Sequence, residues 1–140
     1  GRLKGFLYDN QAAHRAGLPS TGHARRMSFR SLPSISPSNL IIQAGNMEDK
    51  KMVGDLPEGL YVTDLMGLHT ANPVSGDFSL GAAGILIQKG QLTHPVRGLV
   101  IAGNMIEMLQ NIDAVGTEVR FFGSRGAPGL RVASLSVAGS

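Results

Sequence analysis

Four histidines, His14, His23, His69 and His94, are the side chains best suited to proton transfer or metal ligation near neutral pH. No two stand four residues apart, so no helix face presents a pair to one ion, and His-Glu-x-x-His does not occur. A zinc site assembled through space from histidine alone is left open; histidines satisfied at the surface or in the core are the expected use. There are 0 Cys, which excludes thiolate ligands, a thiol nucleophile and disulfides together. Serine is plentiful, yet no Gly-x-Ser-x-Gly elbow is present. The nearest imitation, Gly123-Ser124-Arg125-Gly126, is expected in a loop. Glu48 with Asp49, and Asp55 with Glu58, read as capping and turn residues. Neither a Walker pattern nor a Rossmann glycine fingerprint occurs. The expectation is no catalytic residue, no metal ligand and no cofactor in this chain.

One segment has a composition that suits binding. His69 to Ser79 sets Asn72, Pro73, Ser75, Gly76 and Asp77 between two apolar runs, with Phe78 as its one aromatic. Ser75, Gly76, Asp77, Phe78 and Ser79 form the candidate peptide-binding set. Gly76 has no side chain to keep another backbone away. The strand that follows can offer main-chain hydrogen bonds to an extended peptide. Asp77 is expected to orient the loop and not to act as a base. The alternative is a structural connection in which Asp77 and Ser79 cap backbone groups and Phe78 packs.

The elements around this segment follow from pattern. Asp9 or Asn10 can cap a short helix that Gly17 stops. Residues 18–38 are rich in Ser, Pro, Gly and Arg without periodicity, and are expected to be a mobile or binding loop. Residues 39–43 read as a short strand. Asn46 can cap a small helix ending near Gly54, and residues 59–65 read as a strand. Residues 77–88 and 91–102, joined by Lys89-Gly90, read as a hairpin, with Pro95 at an edge or bulge. Asn104 with Glu107 is close to a capping box, and Met105, Met108, Leu109 and Ile112 make an apolar helical stripe. Residues 123–126 read as a loop, and 130–137 alternate at period two, as one final strand. The fold class is α+β, mainly antiparallel β-sheet with a few short helices.

Composition bounds the rest. With 140 residues, 42% hydrophobic and 16% charged, the chain is neither disordered nor a coiled coil, and residues 1–140 make one domain. The 19 Gly point to many turns and close backbone approaches. No apolar run approaches the ~20 residues of a membrane span. Residues 1–30 carry Arg2, Lys4, Arg15, Arg25, Arg26 and Arg30 against Asp9 alone, six bases to one acid, or +5. The basic arm suggests nucleic acid or an acidic partner. The stacking aromatics of nucleic-acid modules are missing, at 5% aromatic and 0 Trp, so nucleic acid is not the expected partner.

The order of short motifs carries more than any one of them. Pro37-Ser38-Asn39-Leu40, Gly59-Leu60-Tyr61-Val62, Ser75-Gly76-Asp77-Phe78-Ser79, Gly84 with Ile87, Pro95-Val96, Ile101-Ala102-Gly103-Asn104 and Ser136-Val137-Ala138-Gly139 follow one another. In this order they resemble the C-terminal region of the PmbA/TldD family, from about Leu3 to Gly139. The resemblance implies the C-terminal domain of a longer cytoplasmic protein whose N-terminal region lies outside this sequence. It implies proteolysis of extended peptides in a hetero-oligomer, with zinc held by a TldD-like catalytic subunit. Residues 117–126 lack the Cys of that branch, so the chain is closer to PmbA/TldE. A peptide channel lined by Ser75 to Ser79 is then expected. Thr21-Gly22-His23 departs from the family's Thr-Gly-Asn. A gyrase-modulator label also goes with the family, and with it the alternative of a module for nucleic acid or a DNA-associated protein.

Overall fold

The computed structural model describes residues 2–139; Gly1 and Ser140, the ends of the expected 1–140 domain, lie outside the described residues. The elements run α1 (Asn10–Ala16), β1 (Ala24–Arg25), β2 (Ser34–Ile35), β3 (Leu40–Ile41), α2 (Asp49–Gly54) and β4 (Glu58–Met66). A 3-10 turn follows at Leu68–Thr70, then β5 (Asp77–Gln88), β6 (Gln91–Asn104) and α3 (Met105–Gln110). The chain ends with β7 (Ile112–Val115), β8 (Arg120–Phe122), β9 (Arg125–Ala127), β10 (Leu130–Val132) and β11 (Ser136–Ala138). The class is α+β with mainly antiparallel sheet, as expected. Among the described residues, no helix is long and apolar enough to cross a membrane. Two compact units divide the chain: 2–42 with 120–127, and 43–119 with 128–139.

The larger unit is built on a four-stranded sheet in the order β11-β6-β5-β4, antiparallel throughout. Phe78, Leu80 and Ala82 alternate on one face of β5 and are buried, joined by Ile101 of β6. Ala71, Leu99, Met108 and Leu135 pack around that cluster. The period-two spacing puts every second side chain of β5 inward. Lys89 (φ 50°) and Gly90 (φ 74°) both take the left-handed conformation that a two-residue hairpin turn requires. Their N–H groups donate back to Pro57 and Leu56, which ties the turn to the start of β4. Pro95 pairs with Ile85, beside an irregularity in the β5–β6 register. Beside this sheet, β7 and β10 form an antiparallel pair. Arg131 of β10 reaches Asp113 at 2.9 Å and donates to the carbonyl of Met52 on α2.

In the smaller unit, Asp9 caps α1 by accepting from the Ala12 N–H at 2.7 Å, and Gly17 ends it in the left-handed region. β1 and β2 pair within residues 18–38. Met27, Phe29 and Leu32 on the segment between them are each about 85% exposed. β3 pairs parallel with β9, which also pairs with β8.

Four local expectations need correction. The span 130–137 is two strands, β10 and β11, interrupted at 133–135, because Leu135 turns inward to the Phe78 cluster. Residues 120–127 form the hairpin β8–β9 about Gly123 (φ 62°), too short for a pattern to show. Asn46 does not cap α2, whose N-cap is Glu48. α3 is only six residues long; Met108 packs on the core, whereas Met105 and Leu109 are exposed and Ile112 belongs to β7.

Candidate functional site

Residues 67–76, with the 3-10 turn at Leu68–Thr70, join the end of β4 to the start of β5, so the candidate loop closes one end of the sheet. It is a tightly bonded turn. Asn72 accepts at its side-chain oxygen from the N–H groups of Val74 and Ser75. Its own N–H donates to the Asp77 carbonyl, and Gly76 N–H donates to the Asn72 carbonyl. Asp77 N–H donates to Ser75 Oγ at 3.3 Å. Gly76 has φ 82°, a conformation that costs other residues strain.

Asn104, at the end of β6, locks this turn from the neighbouring strand. Its Nδ2 donates to the Ser75 carbonyl and to Asp77 Oδ1, both at 2.9 Å. Its Oδ1 accepts from Ile106 N–H and so caps α3. Met105 N–H donates to the Gly76 carbonyl. The pairing of Asp77 with Asn104 and of Phe78 with Gly103 sets this geometry. Of the five predicted site residues, the structure brings Ser75, Gly76 and Asp77 together around Asn104. Phe78 is buried in the core, and Ser79 follows it on the opposite face of β5, where its carbonyl accepts from Thr70 Oγ1 at 3.4 Å.

The hydrogen bond from Asn104, and after it the one from the Ser75 hydroxyl, holds the Asp77 carboxyl below its usual 3.8, against a smaller opposing effect of burial. A lowered carboxylate pKa means that ionised Asp77 supports the folded loop above the ordinary value. That support is lost as pH falls through the lowered one. The Ser75 to Asp77 amide resonances are therefore expected to hold steady through mildly acidic pH and to titrate with a midpoint below 3.8. A midpoint at or above that value contradicts the bond to Asn104.

Two further features escape the sequence. β5 is paired on both sides, by β4 and β6, along most of its length. Main-chain groups open to another chain therefore lie on the two edge strands, β11 and β4; next to β5 that edge is β4, whose outer side pairs with no strand among the described residues. Tyr61, Val62, Leu65 and Met66 on that strand are 37–49% exposed. Beside α3 lies an open groove of about 320 Å³, with Met108 and Leu135 as apolar wall and Glu107, Asn111, Ser134 and Ser136 as polar rim. The Asn104 half of the capping box forms, but Glu107 does not complete it: among the described residues its side chain makes no hydrogen bond. A strand edge has no signature in residue type, and 107–111 and 134–136 meet through the β6–β11 and β7–β10 pairings, which join distant parts of the chain.

His14 lies on α1, His69 in the 3-10 turn and His94 on β6, while His23 contacts Thr21 Oγ1 at 2.8 Å. Among the described residues, no three of His, Asp and Glu group closely enough to hold a metal ion. The side chains present therefore do not fit a zinc site by themselves.

A family model described as PmbA/TldA metallopeptidase C-terminal domain matches residues 1–139. Metalloprotease PmbA of Escherichia coli O157:H7 is 34% identical over 119 residues, 85% of this chain and 24% of that protein. Metalloprotease TldD homolog of Haemophilus influenzae is 31% identical over 116 residues, 82% of this chain and 24% of that protein. The crystal structure of TldE from Thermococcus kodakarensis matches with a TM-score of 0.89 at 29% identity, over 99% of this chain and 32% of that one. The chain spans about a quarter of the length of these curated relatives.

Proposed function

The chain belongs to the PmbA/TldD family as its metallopeptidase C-terminal domain, and from that premise we propose that it binds extended peptides for a cytoplasmic PmbA/TldE-like subunit. In this reading hydrolysis takes place in a complex with a TldD-like subunit that holds the zinc. The observation that carries it is the open outer edge of β4, in the same sheet whose β4–β5 connection is held in a fixed turn at Ser75 to Asp77. An edge strand offers alternate N–H and C=O groups to an extended chain, giving affinity with little demand on sequence. The turn has a fixed shape, held from β6 by Asn104. Its own N–H and C=O groups at Gly76 are already bonded, to Asn72 and Met105, so it acts as a wall and not as a pairing partner.

Gly76→Val in the full-length protein, assembled with its catalytic partner, tests this. The left-handed φ of 82° is strained for a β-branched residue, so the turn changes shape while β5 and β6 remain paired. Assembly is expected to survive and turnover of an unfolded peptide to fall about tenfold. Unchanged turnover means the loop is a structural connection only.

A second reading has one observation behind it. Arg25, Arg26 and Arg30 flank the exposed Met27 and Phe29, with the Arg30 guanidinium 5.1 Å from the Phe29 ring centre. A steep salt dependence of duplex binding is the signature that would favour nucleic acid. Salt-independent or absent binding leaves the peptide reading alone.

A further inference from the structure

We propose that the groove beside α3 is a subsite for a long cationic side chain, arginine or lysine, of a bound peptide; this rests on the peptide-binding reading and adds a preference to it. The groove holds about 320 Å³, room for one side chain and not for a folded partner. Its wall is Met108 and Leu135, whose other sides pack on the buried Phe78 cluster, so the apolar surface is anchored. An aliphatic stem of three or four methylenes lies well on such a wall while its charged head reaches the rim.

The rim carries the selectivity. Glu107 is its one ionisable group, and none of the residues lining the groove is basic. Among the described residues the side chains of Glu107, Asn111, Ser134 and Ser136 make no hydrogen bond within the chain. Asn104, on the same rim, is spent on Ser75, Asp77 and Ile106. A carboxylate, an amide oxygen and two hydroxyls together offer acceptors for the several N–H donors of a guanidinium or ammonium. An acidic side chain meets repulsion from Glu107, and a short neutral one leaves the rim acceptors to water. Gly103 keeps the floor low: a Cβ there would come within 3.0 Å of Leu135 and 3.3 Å of Phe78.

The test uses the full-length protein and blocked single residues, acetyl-arginine methylamide, acetyl-lysine methylamide and the neutral isostere acetyl-citrulline methylamide. Binding is followed by amide shifts at Glu107, Asn111, Ser134 and Ser136. Arginine and lysine probes are expected to bind about fivefold tighter than citrulline, because the ion pair is solvent-exposed. Glu107→Gln is expected to erase that preference, bringing the three probes to similar affinity. Equal affinities in the wild type, a preference that survives Glu107→Gln, or no shift at these residues overturns the proposal. Extended neutral peptides are run beside the probes. If they leave β4 unprotected while the cationic probes still bind, the peptide reading fails and the subsite stands.

Discussion

Replacing Gly84 by valine is expected to cost about 3 kcal/mol of stability, the upper part of what overpacking a sheet core does. Gly84 faces the buried side of β5, paired with Val62 on β4 and Val96 on β6. A Cβ at this position would fall on the carbonyl oxygen of Tyr61 and come within 3.1 Å of Leu60 Cδ1. The carbonyl is backbone, so relief requires β4 to move away from β5, which breaks the pairing of the two strands. Gly54 is the matching control. A Cβ there meets nothing within 4 Å, and the residue ends α2 in a helical conformation. Gly54→Ala is expected to be neutral or stabilising by up to about 0.5 kcal/mol. Denaturant midpoints of both variants in the full-length protein check the pair. Equal, small effects would mean that β4 and β5 are not packed as described.

Asn104→Ala is expected to cost about 1–2 kcal/mol, most of it as the lost cap of α3, and to release the turn at Ser75 to Asp77. The three bonds of Asn104 hold the end of β6, the start of β5 and the first turn of α3 at one point. Asn104→Asp separates the two roles. It keeps an oxygen for Ile106 N–H but loses the donor to Ser75 and sets a second carboxylate against Asp77. Helix stability should therefore survive in the aspartate variant, while amide protection at Gly76 and Asp77 falls in both. The Asp77 pKa should return toward 3.8 with alanine and rise further with aspartate, since like charges disfavour ionisation. Retained protection at Gly76 in both variants would show that the turn holds its shape without Asn104.

The parts of the fold carried by local chemistry were legible in the sequence. Asp9 and Gly17 bracket α1 as their side-chain and backbone preferences require, and Lys89-Gly90 turns the β5–β6 hairpin. What failed rests on distant partners. Leu135 interrupts an alternating run because the Phe78 cluster draws it inward, and nothing between 130 and 137 encodes that cluster. β8 and β9 are three residues each, below the length at which a period can be recognised. Asn104 was visible as a cap, but its bonds to residues 27 and 29 positions away were not. The five site residues were found as a contiguous segment; that Phe78 is core and that Asn104 completes the turn follow only from the β5–β6 register.

The central claim, that β4 and the turn at Ser75 to Asp77 receive an extended peptide, is tested most directly by amide hydrogen exchange. The assembled full-length protein is compared with and without an unfolded peptide, and again with the same peptide N-methylated at alternate residues. New protection is predicted along 58–66 with the unmodified peptide, while the already bonded amides at 75–77 stay as they are. The N-methylated one, stripped of half its main-chain donors, should give little. Exchange along 58–66 that is the same in all three samples, while the peptide is still turned over, would contradict the account.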